Sequence, residues 1–187
     1  MKNKKNIISL AGDLAAGKGT VSDILIKELQ YGIYRNGEYV RKLAKEMNLN
    51  ITSFNEYLAG HPEIDIQIEK SAAEYAKNHD NFIIDARLGW YVVPESFKVY
   101  LKVDINEAAK RAFEDEKRKN VESFSTVEEH KQDLIRRFNL ENERYWNLYH
   151  VHKEDMSNYD LVVDTTNITA QEVAEIIKAE YFKWLES

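Results

Sequence analysis

The 187-residue sequence contains no cysteine. Disulfides, thiolate nucleophiles and cysteine-based zinc sites are therefore excluded, and the absence fits a reducing compartment, so a cytoplasmic location is expected. Proline occurs twice and glycine seven times, which leaves little room for flexible linkers. No apolar run approaches the roughly 20 residues that a membrane-spanning helix needs. The opening MKNKKNIISLAG sets Lys2, Lys4 and Lys5 before an apolar run, but Asp13 interrupts that run too early for a secretory leader. An excess of basic charge is missing too, since the net charge is -6. Polyanionic partners need a basic face, so neither nucleic acid nor an acidic membrane is an expected partner. An anionic ligand must then be met by a local cluster of Lys and Arg. What remains, 43% hydrophobic and 31% charged residues, is the balance of an ordinary globular chain, and the length suits one domain. A monomer is the default expectation.

Apolar periodicity gives the organisation. Asn6 to Ala11 is a short Ile-rich run closed by Gly12, as in a strand buried on both faces. From Lys18 the period changes: Val21, Ile24, Leu25 and Leu29 fall at helical spacing, with Gly32 as the expected stop. Phe82 to Ile84, Phe97 to Val103 and Leu161 to Val163 read as further strands separated by helical segments. Strands alternating with helices imply a parallel sheet covered on both faces. Capping-box spacing occurs at Ser53 with Glu56, Thr126 with Glu129, and Thr169 with Glu172. A long helical pattern follows Thr126, whereas Lys117 to Ser125 lacks periodicity and is polar enough for a mobile loop.

Between the first strand and the first helix lies GDLAAGKGT, residues 12 to 20. The frame G-x-x-x-x-G-K lets successive backbone N–H groups turn inward around phosphate oxygens while Lys18 supplies a point charge. Gly12, Asp13, Leu14, Ala15, Ala16, Gly17, Lys18, Gly19 and Thr20 are thus candidates for binding the phosphates of ATP. The hydroxyl that usually follows the lysine is displaced by Gly19 onto Thr20, a G-K-G-T form familiar from nucleoside monophosphate kinases, with the hydroxyl near Mg²⁺. No N-K-x-D segment is present to read guanine. In Phe82 to Trp90, FIIDARLGW, a strand ends in Asp85, where a carboxylate reaches Mg²⁺ through water. Arg87, two residues on, sits where ligands bind in parallel sheets.

The chain resembles the cytidylate kinase family, in its short archaeal-type branch. The resemblance rests on GEYVR at Gly37 to Arg41, PEID at Pro62 to Asp65 and DARLGW at Asp85 to Trp90. It continues through Arg137, Glu141, Arg144 and Tyr145 on a late helix to YDLVVDT at Tyr159 to Thr165. It spans essentially the whole chain in order. DARLGW is one residue shorter than the usual form, and Arg35 and Asn36 stand where small residues usually precede G-E. The resemblance implies a P-loop, three-layer α/β/α fold around a five-stranded parallel sheet. It also implies a core of residues 1–34, 81–117 and 155–187, an acceptor-binding helical region at 35–80 and a lid with a long helix at 118–154. It further implies ATP and a nucleoside monophosphate as substrates, with Mg²⁺. Arg41 and Arg87 would hold the acceptor phosphate, and Asp65 would read its base or sugar. Lys18, Arg118, Arg137 and Arg144 would stabilise the transferring charge, Thr20 and Asp85 would serve the metal, and Thr165 would lie against adenine through its backbone. Without the resemblance, Arg137 and Arg144 would read as a solvated face paired with Glu141 and Glu143; the aromatic stripe of Tyr145, Trp146 and Tyr149 reads as core. Two alternatives stay open: a different nucleotide or small-metabolite acceptor, and a kinase-like nucleotide-binding module with little turnover.

Overall fold

Alternating side chains of one central strand set the layers. The computed structural model describes residues 5–115 and 124–187. All six residues of β1 (Ile7–Gly12) are buried. Ile8 and Leu10 enter one core, while Ile7 and Ala11 enter two clusters on the opposite face. Burial on both faces is what makes this run uniformly apolar. Next in chain order are α1 (Lys18–Leu29), β2 (Gly32–Arg35), α2 (Asn36–Glu46), α3 (Ile51–Ala59), α4 (Pro62–Asn78), β3 (Phe82–Asp85) and α5 (Gly89–Val92). They are followed by β4 (Phe97–Lys102), α6 (Ile105–Glu114), α7 (Val127–Tyr149), β5 (Leu161–Asp164) and α8 (Ala170–Glu186). The sheet order is β2-β3-β1-β4-β5, with every pairing parallel.

One face is covered by α1 and α8, whose Val21, Leu25, Val173, Ile177 and Tyr181 pack with Ile8, Leu10 and Val99. The other is covered by α4 through Ala72 and Ala76, and by α5 and α7 through Trp90 and Tyr145. The expected three-layer α/β/α fold with a five-stranded parallel sheet is thus present. Two helices beside α4 have a small core of their own around Ala44, Phe54 and Leu58. Among the described residues no helix is long and apolar enough to cross a membrane.

Two local expectations need correction. Gly32 does not stop the first helix; Gln30 does, in a left-handed conformation with φ 56, and Gly32 opens β2. Ser53 does not cap a helix either. Asn50 does, its side chain accepting from the Ser53 N–H at 2.8 Å, and because Asn caps as well as Ser the helix begins early enough to leave Ser53 inside it. The boxes at Thr126 with Glu129 and Thr169 with Glu172 both form.

The chain leaves β1 toward β2 and leaves β3 toward β4, so connections diverge at the carboxyl ends of β1 and β3. In open parallel sheets such a divergence opens a crevice.

Candidate active site

Gly12 ends β1 at this crevice and must be glycine. Its φ is +147, and a Cβ there would lie 2.4 Å from the Leu101 carbonyl oxygen and 2.8 Å from the Leu101 nitrogen. Backbone cannot yield as a side chain tip can. Gly12→Ala is therefore expected to lower stability by about 2–5 kcal/mol, combining strained φ with overpacking. Urea unfolding measures it, and an unchanged midpoint would contradict this reading.

Beyond Gly12 the loop is braced from behind. The Asp13 N–H donates to the Leu101 carbonyl at 2.9 Å. Its carboxylate accepts from the Tyr100 hydroxyl at 2.6 Å and the Val103 N–H at 2.9 Å. Asp13 therefore fixes the loop to β4 rather than offering its own N–H to a ligand. The helix after the loop begins at Gly17, φ 86, with no side-chain cap and no acidic residue in its first turn. First-turn N–H groups have no partner four residues back, and their partial positive charge faces the loop, which is the arrangement that binds phosphate. A Cβ at Gly19 would meet nothing within 4 Å, so that glycine answers to no contact inside the protein.

The loop opens into a cleft of about 940 Å³. Leu14 to Thr20 line it, together with Arg35, Arg41, Asp65, Asp85, Arg87, Arg111, Arg137, Glu141 and Arg144. Most of the candidate residues named from the sequence are brought together here. The local cationic cluster that a chain of net charge -6 requires is present. Gly12 and Asp13 lie behind the cleft wall. Thr165 also stands outside it: its hydroxyl bonds the Lys102 and Ala16 carbonyls at 2.9 and 3.3 Å, and its carbonyl accepts from Arg111 at 2.7 Å. Arg118 lies outside the described residues.

Two cations meet at the loop's first carbonyl. Lys18 Nζ donates to the Gly12 and Asp13 oxygens at 3.1 and 2.8 Å, and Arg87 donates to the same Gly12 oxygen at 3.4 Å. Burial, with the neighbouring Arg87 charge, lowers the Lys18 pKa to about 7. Arg87 is steadied from the other side, where its Nε donates to Glu141 Oε2 at 3.1 Å. That same oxygen receives Lys153 Nζ at 2.5 Å. Burial alone would raise the Glu141 pKa, but the Arg87 and Lys153 charges hold it well below the usual carboxylate range.

On the side of the cleft built by α3 and α4, Arg144 Nε donates to Asp65 Oδ2 at 2.8 Å, and its NH1 donates to Asn55 Oδ1 at 3.2 Å. Two residues read separately from the sequence are thus one buried pair tying α7 to α3 and α4. Arg41 on α2 is exposed along the cleft. Arg35, on the strand before it, pairs with Asp23 of α1. Glu141 is buried rather than solvated, its charge compensated by Arg87 and Lys153. Trp146 is 47% exposed, against the expectation of core, and stacks on His152 at 4.6 Å. Tyr145 of that stripe is buried against the sheet, and Tyr149 packs partly buried against the same cluster.

Glu69, one turn beyond Asp65, was not singled out by the sequence. It is 5% exposed, and burial, with Asp65 nearby and Arg144 opposing, pushes its pKa from 4.5 up to about 8. Between those values the folded protein keeps a proton that the unfolded chain releases, so stability falls as pH rises from 4.5 to 8. Glu69→Gln removes that titration. It is expected to flatten the fall by about 1–3 kcal/mol, read from urea unfolding at pH 5 and pH 8; an unaltered pH dependence would contradict the assignment.

A phosphate-cradling loop at the end of β1 of a parallel three-layer α/β fold, faced by arginines, defines a P-loop kinase. A model described as the "Cytidylate kinase-like family" matches residues 7–167. The chain belongs to that family and is a nucleoside monophosphate kinase. It is 33% identical over 175 residues to the cytidylate kinase of Thermoplasma volcanium, covering 91% of this chain and 88% of that protein. It is 32% identical over 180 residues to the S-adenosylmethionine-dependent nucleotide dehydratase of Lacinutrix mariniflava. That match covers 96% of this chain but 36% of that protein. Shikimate kinase from Acinetobacter baumannii, solved in complex with shikimate, shares the fold with TM-score 0.59 at 14% identity, over 95% of this chain and 92% of that one.

Proposed function

We propose that the protein transfers the γ-phosphoryl group of ATP, with Mg²⁺, to the phosphate of CMP or dCMP, with UMP the next acceptor, yielding ADP and the nucleoside diphosphate. The observation that carries this reading is the meeting of Lys18 and Arg87 at the Gly12 carbonyl. Lys18 belongs to the loop that cradles the donor, and Arg87 comes from the strand end beside it. Two phosphates drawn to these cations would face each other at one point. In the transfer, an ionised acceptor oxygen forms a bond to the γ-phosphorus as the bond to the β,γ-bridging oxygen breaks. That oxygen is nucleophilic at neutral pH, so alignment, charge neutralisation and exclusion of water are the protein's tasks, and no general base is required.

Arg41 and Arg87 would grip the acceptor phosphate, which suits the fork of a guanidinium. Arg137, buried on the cleft wall, would offset charge on the transferring group. Arg144 would act through Asp65 as a positioning residue. The cleft also suits Mg²⁺. Thr20 and Asp85 both line it, and among the described residues no group of three or more His or acidic side chains could hold a metal. That sparse donor set fits an ion that prefers phosphate oxygens and water to an all-protein cage. When bound, Mg²⁺ would neutralise phosphate charge.

Coupled ADP release with CMP, dCMP, UMP, AMP, GMP and dTMP tests the proposal. Acceptor-dependent release is expected with CMP and dCMP; none with CMP, dCMP or UMP would overturn it. A second reading keeps the chemistry and changes the acceptor. The match to one segment of a nucleotide dehydratase favours a nucleotide that such an enzyme consumes or produces, and ADP release with a modified nucleoside monophosphate but with none of the panel would support it.

A further inference from the structure

Two oxygens on the acceptor side of the cleft lack hydrogen bonds. Asn36, at the start of α2, and Glu69, on α4, are 6% and 5% exposed, and both line the cleft. Glu69 Oε1 accepts from Asn36 Nδ2 at 3.5 Å, while Glu69 Oε2 and Asn36 Oδ1 have no partner. A buried polar atom without a partner is costly, so two side by side on a cleft wall call for a ligand that satisfies both. The neighbouring polar groups are committed elsewhere: Asp65 is held by Arg144, and the Tyr34 hydroxyl donates to Ser71 at 3.0 Å.

We propose that Asn36 and Glu69 read the base of the acceptor, selecting a 4-aminopyrimidine ring over a 4-oxopyrimidine ring. This rests on the nucleoside monophosphate acceptor proposed above and names the groups that choose among its members. A 4-aminopyrimidine presents an NH₂ donor beside the N3 lone pair; a 4-oxopyrimidine presents a carbonyl beside an N3–H. With Glu69 ionised, Asn36 Oδ1 and Glu69 Oε2 are both acceptors, and one amino group can give a hydrogen to each. A ring carbonyl in that place would set lone pairs against lone pairs. With Glu69 protonated, its O–H donates to N3 while the amino group donates to Asn36 Oδ1. The amino ring is therefore satisfied in either protonation state, whereas the oxo ring is satisfied only in the protonated one, with its contacts reversed. The ionised site leaves buried groups unpaired against the oxo ring and so discriminates strongly against it.

The test is kcat/KM at saturating ATP and pH 9, above the value of about 8 to which burial raises Glu69, with CMP, dCMP and UMP for the wild type, Glu69→Gln and Asn36→Ala, and with thermal unfolding to confirm that each variant folds. The wild type is expected to favour CMP over UMP at least tenfold. Glu69→Gln is expected to shrink that ratio fivefold or more, because a fixed amide N–H donates to a ring carbonyl as readily as to N3. Asn36→Ala is expected to lower kcat/KM for CMP more than for UMP, with the KM for ATP unchanged. Turnover in which both variants scale CMP and UMP by one factor, or a wild type that prefers UMP, overturns this inference alone. Absence of turnover with all three pyrimidine monophosphates overturns the proposed function and this inference together.

Discussion

Arg87→Ala is expected to lower kcat/KM for the nucleoside monophosphate by about 10²–10³-fold while leaving the KM for ATP within a few-fold. Arg87 is held in place by two contacts, Nε on Glu141 and a terminal N–H on the Gly12 carbonyl. A guanidinium has five N–H donors, so it can keep both and still grip a phosphate. Losing the side chain removes charge-assisted bonds worth about 2–5 kcal/mol in a partly desolvated setting. Arg87→Lys should recover little, because a single ammonium cannot hold Glu141 and a phosphate in the same planar geometry. The fold should survive, since Glu141 keeps Lys153 at 2.5 Å and is not left as an uncompensated buried charge. Steady-state kinetics varying each substrate in turn decide the matter. If both constants stay within threefold of wild type, Arg87 does not touch the acceptor.

What could be read from the sequence was what is encoded locally. The first strand, the phosphate loop and the helix after it are neighbours in the chain, and a change of period from continuous apolar burial to helical spacing marks them. The Thr126 and Thr169 caps were legible for the same reason, each being complete within four residues. The strand β2 escaped pattern reading because GIYR has no fully buried residue, and its first glycine mimics a helix stop. The cleft wall built from α3, α4 and α7 was harder. Arg144 and Asp65 are 79 positions apart, and nothing near either one announces the other; Glu141, taken alone, looks like any helix-surface glutamate. Lys153 bears no motif, yet it neutralises the carboxylate that steadies Arg87. Asn36 and Glu69 owe their importance to burial in a cleft wall, a property of packing that periodicity along a partly polar helix does not reveal.

The second large effect separates activity from stability at one residue. Lys18→Ala is expected to cut kcat by about 10²–10³-fold or more, because the charge facing the donor phosphates is lost. The same change should leave the ligand-free protein as stable as wild type or about 1 kcal/mol more stable at neutral pH, since burial and Arg87 disfavour the protonated lysine. The sign of the pH dependence follows from the same balance. With a pKa of about 7 in the free protein, Lys18 loses its proton as pH rises through 7. Phosphate binding favours the charged form and must then take a proton up. ATP affinity should therefore fall, by up to about tenfold per pH unit above 7 until the pKa of the bound state is reached. Calorimetric titration between pH 6 and 9 measures this. Comparison with Lys18→Ala separates the lysine from the titration of the nucleotide itself, because only the wild type should lose affinity with proton uptake. Equal slopes in the two proteins would mean that Lys18 stays charged throughout, and that the ligand-free loop does not hold it in the desolvated position beside Arg87 from which the low pKa arises.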